Sequence, residues 1–175
     1  MFNLRISPLI NRCIQGVYPP GSVFKLVVAL AGLAEKKISI TSTFLCTGKL
    51  QVGKRIFKCW SFHGKQNIIS AIQNSCNIFF YHTGLLVGAN KISEYAKKLG
   101  LGKSTSILPY DKKGFIPTPE WKRKKYKVKW TNGDTCNLSI GQGYILTTPL
   151  QIYRMLTFFA EGKIYEPFIT KKIGT

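Results

Sequence analysis

The feature that most constrains the fold is an apolar run that follows a rigid turn. Pro19, Pro20 and Gly21 cannot lie inside a regular helix, because proline fixes φ and lacks an amide proton. The next segment, Leu26–Ala34, has nine residues and no polar side chain. We predict a helix over Phe24–Ala34 that is apolar on nearly every side and is therefore buried. A transmembrane helix needs about 20 apolar residues, so this run is too short to cross a bilayer.

The rest of the chain is predicted to be mainly helical. Thr118-Pro119 and Thr148-Pro149 each combine a capping hydroxyl with a first-turn proline, which is typical of helix starts. Residues 49–64 lack a helical period and predict loop or short strands, and residues 101–118 predict loop. The other predicted helices span residues 67–74 and 78–87, a segment capped by Asn90 that ends at Gly100, and a segment from Pro149 to about Glu161.

The charge is strongly basic, with 26 Lys and Arg against 7 Asp and Glu and a formal net charge of +19. This balance raises nucleic acid, an anionic membrane surface or an anionic polymer as partners. The densest block, Trp121–Trp130, interleaves aromatic and basic side chains, as single-strand nucleic-acid surfaces do. We favour a solvated basic loop, because no helix-turn-helix, zinc-finger or RNP pattern accompanies the block. We therefore treat nucleic acid as an unlikely partner.

Four potential metal ligands occur at regular spacing. Twelve residues separate Cys46 from Cys59, three separate Cys59 from His63, and twelve separate His63 from Cys76. Three thiolates and one imidazole can complete a tetrahedral zinc site, although these spacings match no common zinc finger. Scattered buried thiols, or one disulfide with spare cysteines, remain alternatives. The two remaining cysteines, Cys13 and Cys136, are predicted to be buried.

Ser22 and Lys25 form an S-x-x-K pair at the mouth of the predicted buried helix. Residues three apart share a helix face, so the two side chains can meet. An apolar environment favours a neutral lysine amine, which could then take the serine proton. A capping serine beside a lysine that extends to solvent is the alternative, because S-x-x-K is common by chance.

A second motif, Ser75-Cys76-Asn77, joins two predicted helices, and S-x-x-K followed by S-x-N is the motif pair of penicillin-binding proteins and β-lactamases. The chain resembles class B penicillin-binding proteins, most of all the elongation type, over nearly its whole length and in order. The matching segments are Asn11–Lys25, Ser75–Tyr81, Pro117–Lys122, Ile140–Tyr144 and Thr148–Gln151.

The resemblance implies a peptidoglycan D,D-transpeptidase that works through an acyl-serine intermediate. Ser22 would attack the penultimate D-Ala carbonyl of a stem peptide, and Lys25 would be the base. Ser75 would relay a proton, and Asn77 would hydrogen-bond the substrate amide. β-Lactams would acylate Ser22 as substrate mimics.

The resemblance also implies a structural Zn²⁺ held by Cys46, Cys59, His63 and Cys76, since relatives carry mixed Asp, Cys and His ligands at matching positions. The resemblance implies that the protein acts at the outer, periplasmic face of the cytoplasmic membrane. Because the resemblance is to the elongation type, elongation proteins are expected partners. The sequence shows neither an anchor nor a signal, which we expect to mean that the N-terminal part of the family architecture is missing.

The third family motif, K-[ST]-G, is not recognisable. Residues Lys172-Ile173-Gly174-Thr175 have isoleucine in place of the hydroxyl residue. We therefore expect residues 1–175 to be an internal piece of the α/β transpeptidase domain, mainly helical and lacking most of the central antiparallel sheet. The helices that begin near Phe24, Ile78 and Leu150 should then expose apolar faces.

Such a fragment is expected to keep the acylation pair and the zinc segment but to lack full transpeptidase activity. One alternative is a non-catalytic cell-wall module, or a module that complements a separately encoded C-terminal piece. A basic nucleic-acid-binding fragment is the other alternative.

Overall fold

The turn that the prolines predict is present and places Ser22 at the start of the buried helix. A computed structural model describes residues 10–168 of the protein. In it, Gly21–Phe24 form a 3₁₀ turn, and Lys25–Ala34 continue as an α-helix. The α-helix thus begins one residue later than predicted, and Phe24 and most residues of the helix are buried as expected.

Eight α-helices and four short strands form in the described part of the chain. The helices are α1 (Arg12–Gln15), α2 (Lys25–Ala34), α3 (Ile68–Gln73), α4 (Asn77–Val87), α5 (Ala89–Lys98), α6 (Pro119–Tyr126), α7 (Asn132–Ser139) and α8 (Pro149–Glu161). The strands are β1 (Phe44–Cys46), β2 (Lys49–Val52), β3 (Arg55–Lys58) and β4 (Gly64–Gln66).

The strands make two separate antiparallel pairs. β1 pairs with β4, with Cys46 opposite Gly64, and β2 and β3 form a hairpin in which Lys49 lies opposite Lys58. Between residues 10 and 168 these two-stranded sheets are the only sheets. The prediction of a mainly helical chain with little sheet is confirmed.

Helix α4 is the centre of the core. It packs against α2, α5 and α7 and against strand β1. Ile78, Phe79 and Phe80 are almost completely buried. The expectation that α4 exposes an apolar face is wrong for this first part of the helix, which its neighbours cover, whereas Leu86 near its end is 50% exposed. Helices α2 and α8 do expose apolar residues, among them Leu33 and Phe159.

Three further sequence expectations are wrong. Asn90 does not cap α5, since it lies in the first turn of a helix whose N-cap is Gly88, with φ +82°. Helix α7 was not expected, because Asn132–Ser139 has almost no apolar period. Cys13 is exposed at the short helix α1, whereas Cys136 is buried as expected.

Candidate active site and metal centre

Residues from three separate segments meet at the start of α2. Lys25 is the first residue of that helix and is only 3% exposed, while Ser22 is exposed on the preceding turn. Ser75 lies between α3 and α4, and Asn77 is the first residue of α4. The fold therefore brings together all four residues that the two motifs single out.

Lys25 makes its hydrogen bonds with the S-x-N segment. Its Nζ donates to the Ser75 carbonyl oxygen at 2.7 Å, to Ser75 Oγ at 2.9 Å and to Asn77 Oδ1 at 2.7 Å. Ser75 Oγ donates in turn to Ser22 Oγ at 2.9 Å. The sequence indicates direct contact between Ser22 and Lys25, but the hydrogen bonds connect them through Ser75.

The environment of Lys25 favours loss of its proton. Burial lowers the pKa of Lys25 to about 8, although the nearby Cys59 and Cys76 thiols, when ionised, raise it. Its three acceptors are neutral oxygens, and no salt bridge to Lys25 is found among residues 10–168. A desolvated amine without a counter-charge is a plausible general base near neutral pH.

Ser75 is held in a conformation that non-glycine residues rarely adopt. Its φ is +48°, which lies in the left-handed region and costs on the order of 1 kcal/mol. The Lys25 ammonium bonds both its carbonyl and its hydroxyl, and helices α3 and α4 anchor both sides. Strain of this kind often occurs where a fold positions a functional group.

The Asn77 side chain links the site to the β2–β3 hairpin. Its Oδ1 accepts from Lys25, and its Nδ2 donates to the Lys58 carbonyl oxygen at 3.2 Å. The Tyr81 hydroxyl donates to the same carbonyl at 3.3 Å. Two side chains of α4 therefore hold the end of β3 in place. The sequence offered no signal for this contact, since it involves a backbone oxygen of Lys58.

A glycine loop after α7 closes against the nucleophile turn. The Gly21 amide donates to the Gly141 carbonyl at 3.0 Å. A Cβ atom on Gly141 would lie 2.2 Å from the Gly21 carbonyl oxygen, and the φ of Gly141 is +68°. Only glycine fits here, because a side chain at this position would prevent the loop from packing against the turn that carries Ser22.

The four predicted metal ligands converge beside the S-x-N segment. One ligand atom from each of Cys46, Cys59, His63 and Cys76 lies within 4.8 Å of the others. His63 Nδ1 is 3.5 Å from the Sγ atoms of both Cys46 and Cys59. All five cysteines of the chain are free thiols, so the disulfide alternative is not seen.

These distances fit a tetrahedral metal ion. With Zn–S near 2.3 Å and Zn–N near 2.0–2.1 Å, the edge between a sulfur and a nitrogen ligand is about 3.6 Å. The observed separations between His63 and the two thiols agree with that edge. Cys46 ends β1, Cys59 directly follows β3, His63 directly precedes β4 and Cys76 directly precedes α4, so a bound ion would cross-link these elements.

The cluster of potential metal ligands and the candidate active site share a hydrogen bond. The Asn77 amide donates to Cys59 Sγ at 3.2 Å. Hydrogen bonds of this kind orient a ligand and stabilise its thiolate form. Cys76 lies between Ser75 and Asn77 in sequence, so the two centres are continuous in space and along the chain.

The aromatic side chains of the basic block pack mainly against one another and against neighbouring aromatic rings, although Tyr126 is partly exposed. The Trp121 ring packs against Phe115, Tyr126 and Tyr144. Lys122 is buried and pairs with Asp134 at 2.5 Å. Side chains used in this way for internal packing are not available to stack on bases.

Residues 172–175, which resemble the third motif only superficially, lie outside the described residues. Within residues 10–168, no helix has both the length and the apolar character needed to cross a bilayer.

Comparison with known proteins places this geometry in a family. The whole chain, residues 1–175, matches the penicillin binding protein transpeptidase domain. The chain belongs to the penicillin-binding protein transpeptidase family. The predicted family and fold class are confirmed.

Curated relatives support the same assignment. The chain is 38% identical over 156 residues to the peptidoglycan D,D-transpeptidase MrdA of Escherichia coli K12, covering 86% of this chain and 24% of the relative. It is 36% identical over 179 residues to the MrdA of Haemophilus influenzae, covering 99% of this chain and 28% of the relative. The chain thus spans about a quarter of the length of these relatives.

Solved structures agree with the fold. A complex of the penicillin-binding protein PBP2 with MreC from Helicobacter pylori superposes with a TM-score of 0.89 and 36% identity, covering 92% of this chain and 31% of that one. Pseudomonas aeruginosa PBP2 in complex with WCK 5153 gives a TM-score of 0.90 and 32% identity, covering 94% of this chain and 39% of that one.

Proposed function

We propose that this part of the protein carries the acylation machinery of a peptidoglycan D,D-transpeptidase. The main support is a chain of two hydrogen bonds, from Lys25 Nζ to Ser75 Oγ and from Ser75 Oγ to Ser22 Oγ, each 2.9 Å long. Membership of the transpeptidase family supports the same chemistry. Ser22 is the nucleophile, and the substrate is a peptidoglycan stem peptide or a β-lactam that mimics it.

The proton moves along this path but against the direction of the hydrogen bonds, since Lys25 Nζ donates to Ser75 Oγ and Ser75 Oγ donates to Ser22 Oγ. Once Lys25 is neutral and the two hydroxyls have turned, Ser75 gives its proton to Lys25 Nζ, Ser22 gives its proton to Ser75, and Ser22 Oγ attacks the D-Ala carbonyl carbon. The amide bond to the terminal D-Ala then breaks, and the leaving amine takes a proton back through Ser75. Asn77 orients Lys25 and is the candidate contact for the substrate amide.

Partners are proposed from relatives. One similar structure is a complex with MreC, and another is described as a peptidoglycan synthase complex that coordinates polymerization and crosslinking. We propose elongation proteins of this kind as partners of the full protein and the periplasmic face of the cytoplasmic membrane as its place of action. No observation favours the module or nucleic-acid alternatives.

The test of acylation is covalent labelling of the 175-residue chain by a fluorescent penicillin. Labelling is expected at Ser22, located by mass spectrometry of the digested chain, and is abolished in Ser22→Ala. Ser39→Ala, an exposed serine outside the site, is the matched control and should label like the unaltered chain. A folded chain that stays unlabelled, or a Ser22→Ala variant that labels normally, would contradict the proposal.

We also propose that Cys46, Cys59, His63 and Cys76 hold a structural zinc ion. The convergence of four ligand atoms within 4.8 Å supports this. Zinc supplies no reaction step here: it stabilises the packing of the small sheets against α4 and holds the S-x-N segment in place. Three thiolates and one imidazole form a closed ligand set, which is typical of structural sites.

Metal analysis of the purified chain tests the zinc site. About one equivalent is expected, falling to near zero in Cys59→Ser and His63→Ala and unchanged in Cys13→Ser, which alters an exposed thiol outside the cluster. The thermal midpoint should fall with the metal, because a ligand that binds only the folded state stabilises it. Less than about half an equivalent, unaffected by the ligand variants, would contradict this site.

A further inference from the structure

Helix α3 ends in a motif that normally contains glycine. The Cys76 amide donates to the Ala71 carbonyl oxygen at 2.9 Å, and the Ser75 amide donates to that of Ile72 at 3.1 Å. These are the two hydrogen bonds of a Schellman motif, in which the residue at the position of Ser75 is left-handed and is usually glycine. Ser75 has a φ of +48°. Because this conformation is unfavourable for a residue with a Cβ atom, a serine here needs contacts that hold it in place.

Asn74, the residue before Ser75, is held by the segment that follows β3. The Trp60 indole Nε1 donates to the Asn74 carbonyl oxygen at 3.0 Å, and Asn74 Nδ2 donates to Gln66 Oε1 at 3.0 Å. Trp60 is 70% exposed, so water competes for its hydrogen bond, whereas Gln66 is 4% exposed. The hydrogen bond between Asn74 and Gln66 is therefore the more protected of the two.

The orientation of the Gln66 amide is fixed from its other end. Its Nε2 donates to the His63 carbonyl oxygen at 2.8 Å and to the Lys65 carbonyl oxygen at 3.2 Å. Both amide protons are thus used, and the oxygen of the amide faces Asn74. The backbone of Gln66 is fixed as well, since it lies opposite Phe44 in the β1–β4 pair. Gln66 is therefore a buried acceptor with one orientation, next to the S-x-N segment.

Ser75 Oγ is the atom that depends on this support. It accepts from Lys25 Nζ and donates to Ser22 Oγ, at 2.9 Å in each case. A change in the φ of Ser75 would swing its Cβ and Oγ about the N–Cα bond and lengthen both hydrogen bonds. Proton transfer through Ser75 needs heavy-atom distances of about 2.6–3.2 Å, so its rate depends on the conformation at the end of α3.

We propose that Gln66 is a positioning residue for acylation, which acts through Asn74 to hold Ser75 in its left-handed conformation. Gln66 itself touches neither the substrate nor the reacting atoms. This inference rests on the proposed function, because it takes Ser75 as the proton relay between Ser22 and Lys25.

The test compares Gln66→Met with Gln151→Met. Both replace a buried glutamine whose Nε2 donates to two backbone carbonyl oxygens, and those bonded by Gln151 belong to Lys103 and Lys113, outside the candidate active site. The maximal rate of penicillin acylation should fall about three- to tenfold in Gln66→Met, the range for one lost neutral hydrogen bond. The penicillin concentration that gives half this rate should stay the same, since only the transition state is affected.

Folded Gln151→Met should keep the full acylation rate. Equal losses in the two variants would show a general effect of destabilisation and would overturn the positioning role. An unchanged maximal rate in Gln66→Met would overturn it too.

Asn74→Ala separates an effect through Asn74 from an effect through His63. It removes the hydrogen bond between Asn74 and Gln66 and leaves those from Gln66 Nε2. This variant should be slowed as much as Gln66→Met, and the double variant should be no slower than the slower single variant. Losses that multiply in the double variant would overturn the proposed route. If Gln66→Met does not fold, Asn74→Ala still tests the bond, and an unchanged rate in it would overturn the proposal.

Hydrogen exchange separates failure of this proposal from failure of the proposed function. The Ser75 and Cys76 amides close the Schellman motif, so their exchange rates report its opening. In Gln66→Met, or in Asn74→Ala, both amides should exchange about three- to tenfold faster relative to the amides of α5. Unchanged exchange would overturn the positioning role, whether or not penicillin labels Ser22. Faster exchange in a chain that penicillin does not label would refute the acylation proposal and retain the hold of Gln66 on Ser75.

Discussion

Two buried lysines of this protein have opposite surroundings. Lys25 is 3% exposed and Lys122 is 7% exposed. Lys25 donates only to neutral oxygens of Ser75 and Asn77, whereas Lys122 forms an ion pair with Asp134 at 2.5 Å. Burial without a counter-charge lowers the pKa of Lys25 to about 8.

The comparison shows how one residue type serves two purposes. A buried ammonium beside a carboxylate forms an ion pair that fixes two elements, here α6 and the start of α7. A buried ammonium beside neutral oxygens can lose its proton at moderate pH and act as a base. Replacing each lysine by methionine, which has similar length and no charge, separates these purposes.

The largest effect is expected for Lys25→Met. Loss of the base should reduce the rate of penicillin acylation by about 10²–10⁴-fold, the usual contribution of a general base. The variant should remain folded, because no charge then needs to be desolvated. Stopped-flow or gel-based labelling rates measure the effect. A decrease of less than about threefold would mean that Lys25 is not the base.

The pH dependence of the acylation rate of the unaltered chain should reveal the titration of Lys25. The neutral amine is the active form, so the acylation rate should rise with pH and level off above about 8, the pKa of Lys25. Below that value the neutral fraction falls about tenfold per pH unit, or about a hundredfold by pH 6. Rates measured from pH 6 to pH 9 on chain that stays folded throughout would test this. A flat profile contradicts it.

Lys122→Met should lower stability and leave acylation nearly unchanged, whereas Lys25→Met lowers the acylation rate and leaves the chain folded. Asp134 would keep its bonds to Thr131 but lose its counter-charge, which should lower the free energy of unfolding by about 2 kcal/mol. The acylation rate of folded protein should change little. Urea denaturation measures the loss, and Lys124→Met, which removes an exposed pair with Glu120, is the control with a loss below about 0.5 kcal/mol. Equal losses in the two variants would contradict the distinction.

Asn77→Asp would convert the surroundings of Lys25 towards those of Lys122. The substitution places a carboxylate where Asn77 Oδ1 lies 2.7 Å from Lys25 Nζ. Because an adjacent opposite charge favours the ammonium form, the pKa of Lys25 should rise by about one unit or more. The midpoint of the acylation profile should move to higher pH by the same amount, whatever the effect on the maximal rate. An unchanged midpoint would show that Lys25 does not control the profile.

Much of the fold follows from local signals in the sequence. Thr118 and Thr148 cap α6 and α8 as predicted, each accepting a backbone amide three residues on. Asn67 caps α3 in the same way. Helix α7 carried a usable signal, since Thr131 and Asp134 form a capping box, but its side chains have almost no apolar period. Capping alone is a weak signal without periodicity.

The sequence by itself indicated the family, several helix starts and the four thiol and imidazole side chains that converge, because these depend on residue type and on spacing. Only the tertiary structure decided which of them meet. Lys25 reaches Ser22 through Ser75, fifty residues further along the chain. The end of β3 reaches the same neighbourhood because Asn77 Nδ2 donates to the Lys58 carbonyl oxygen. Such contacts depend on how α4 packs between α2 and α7, and packing of distant segments leaves no mark in local spacing.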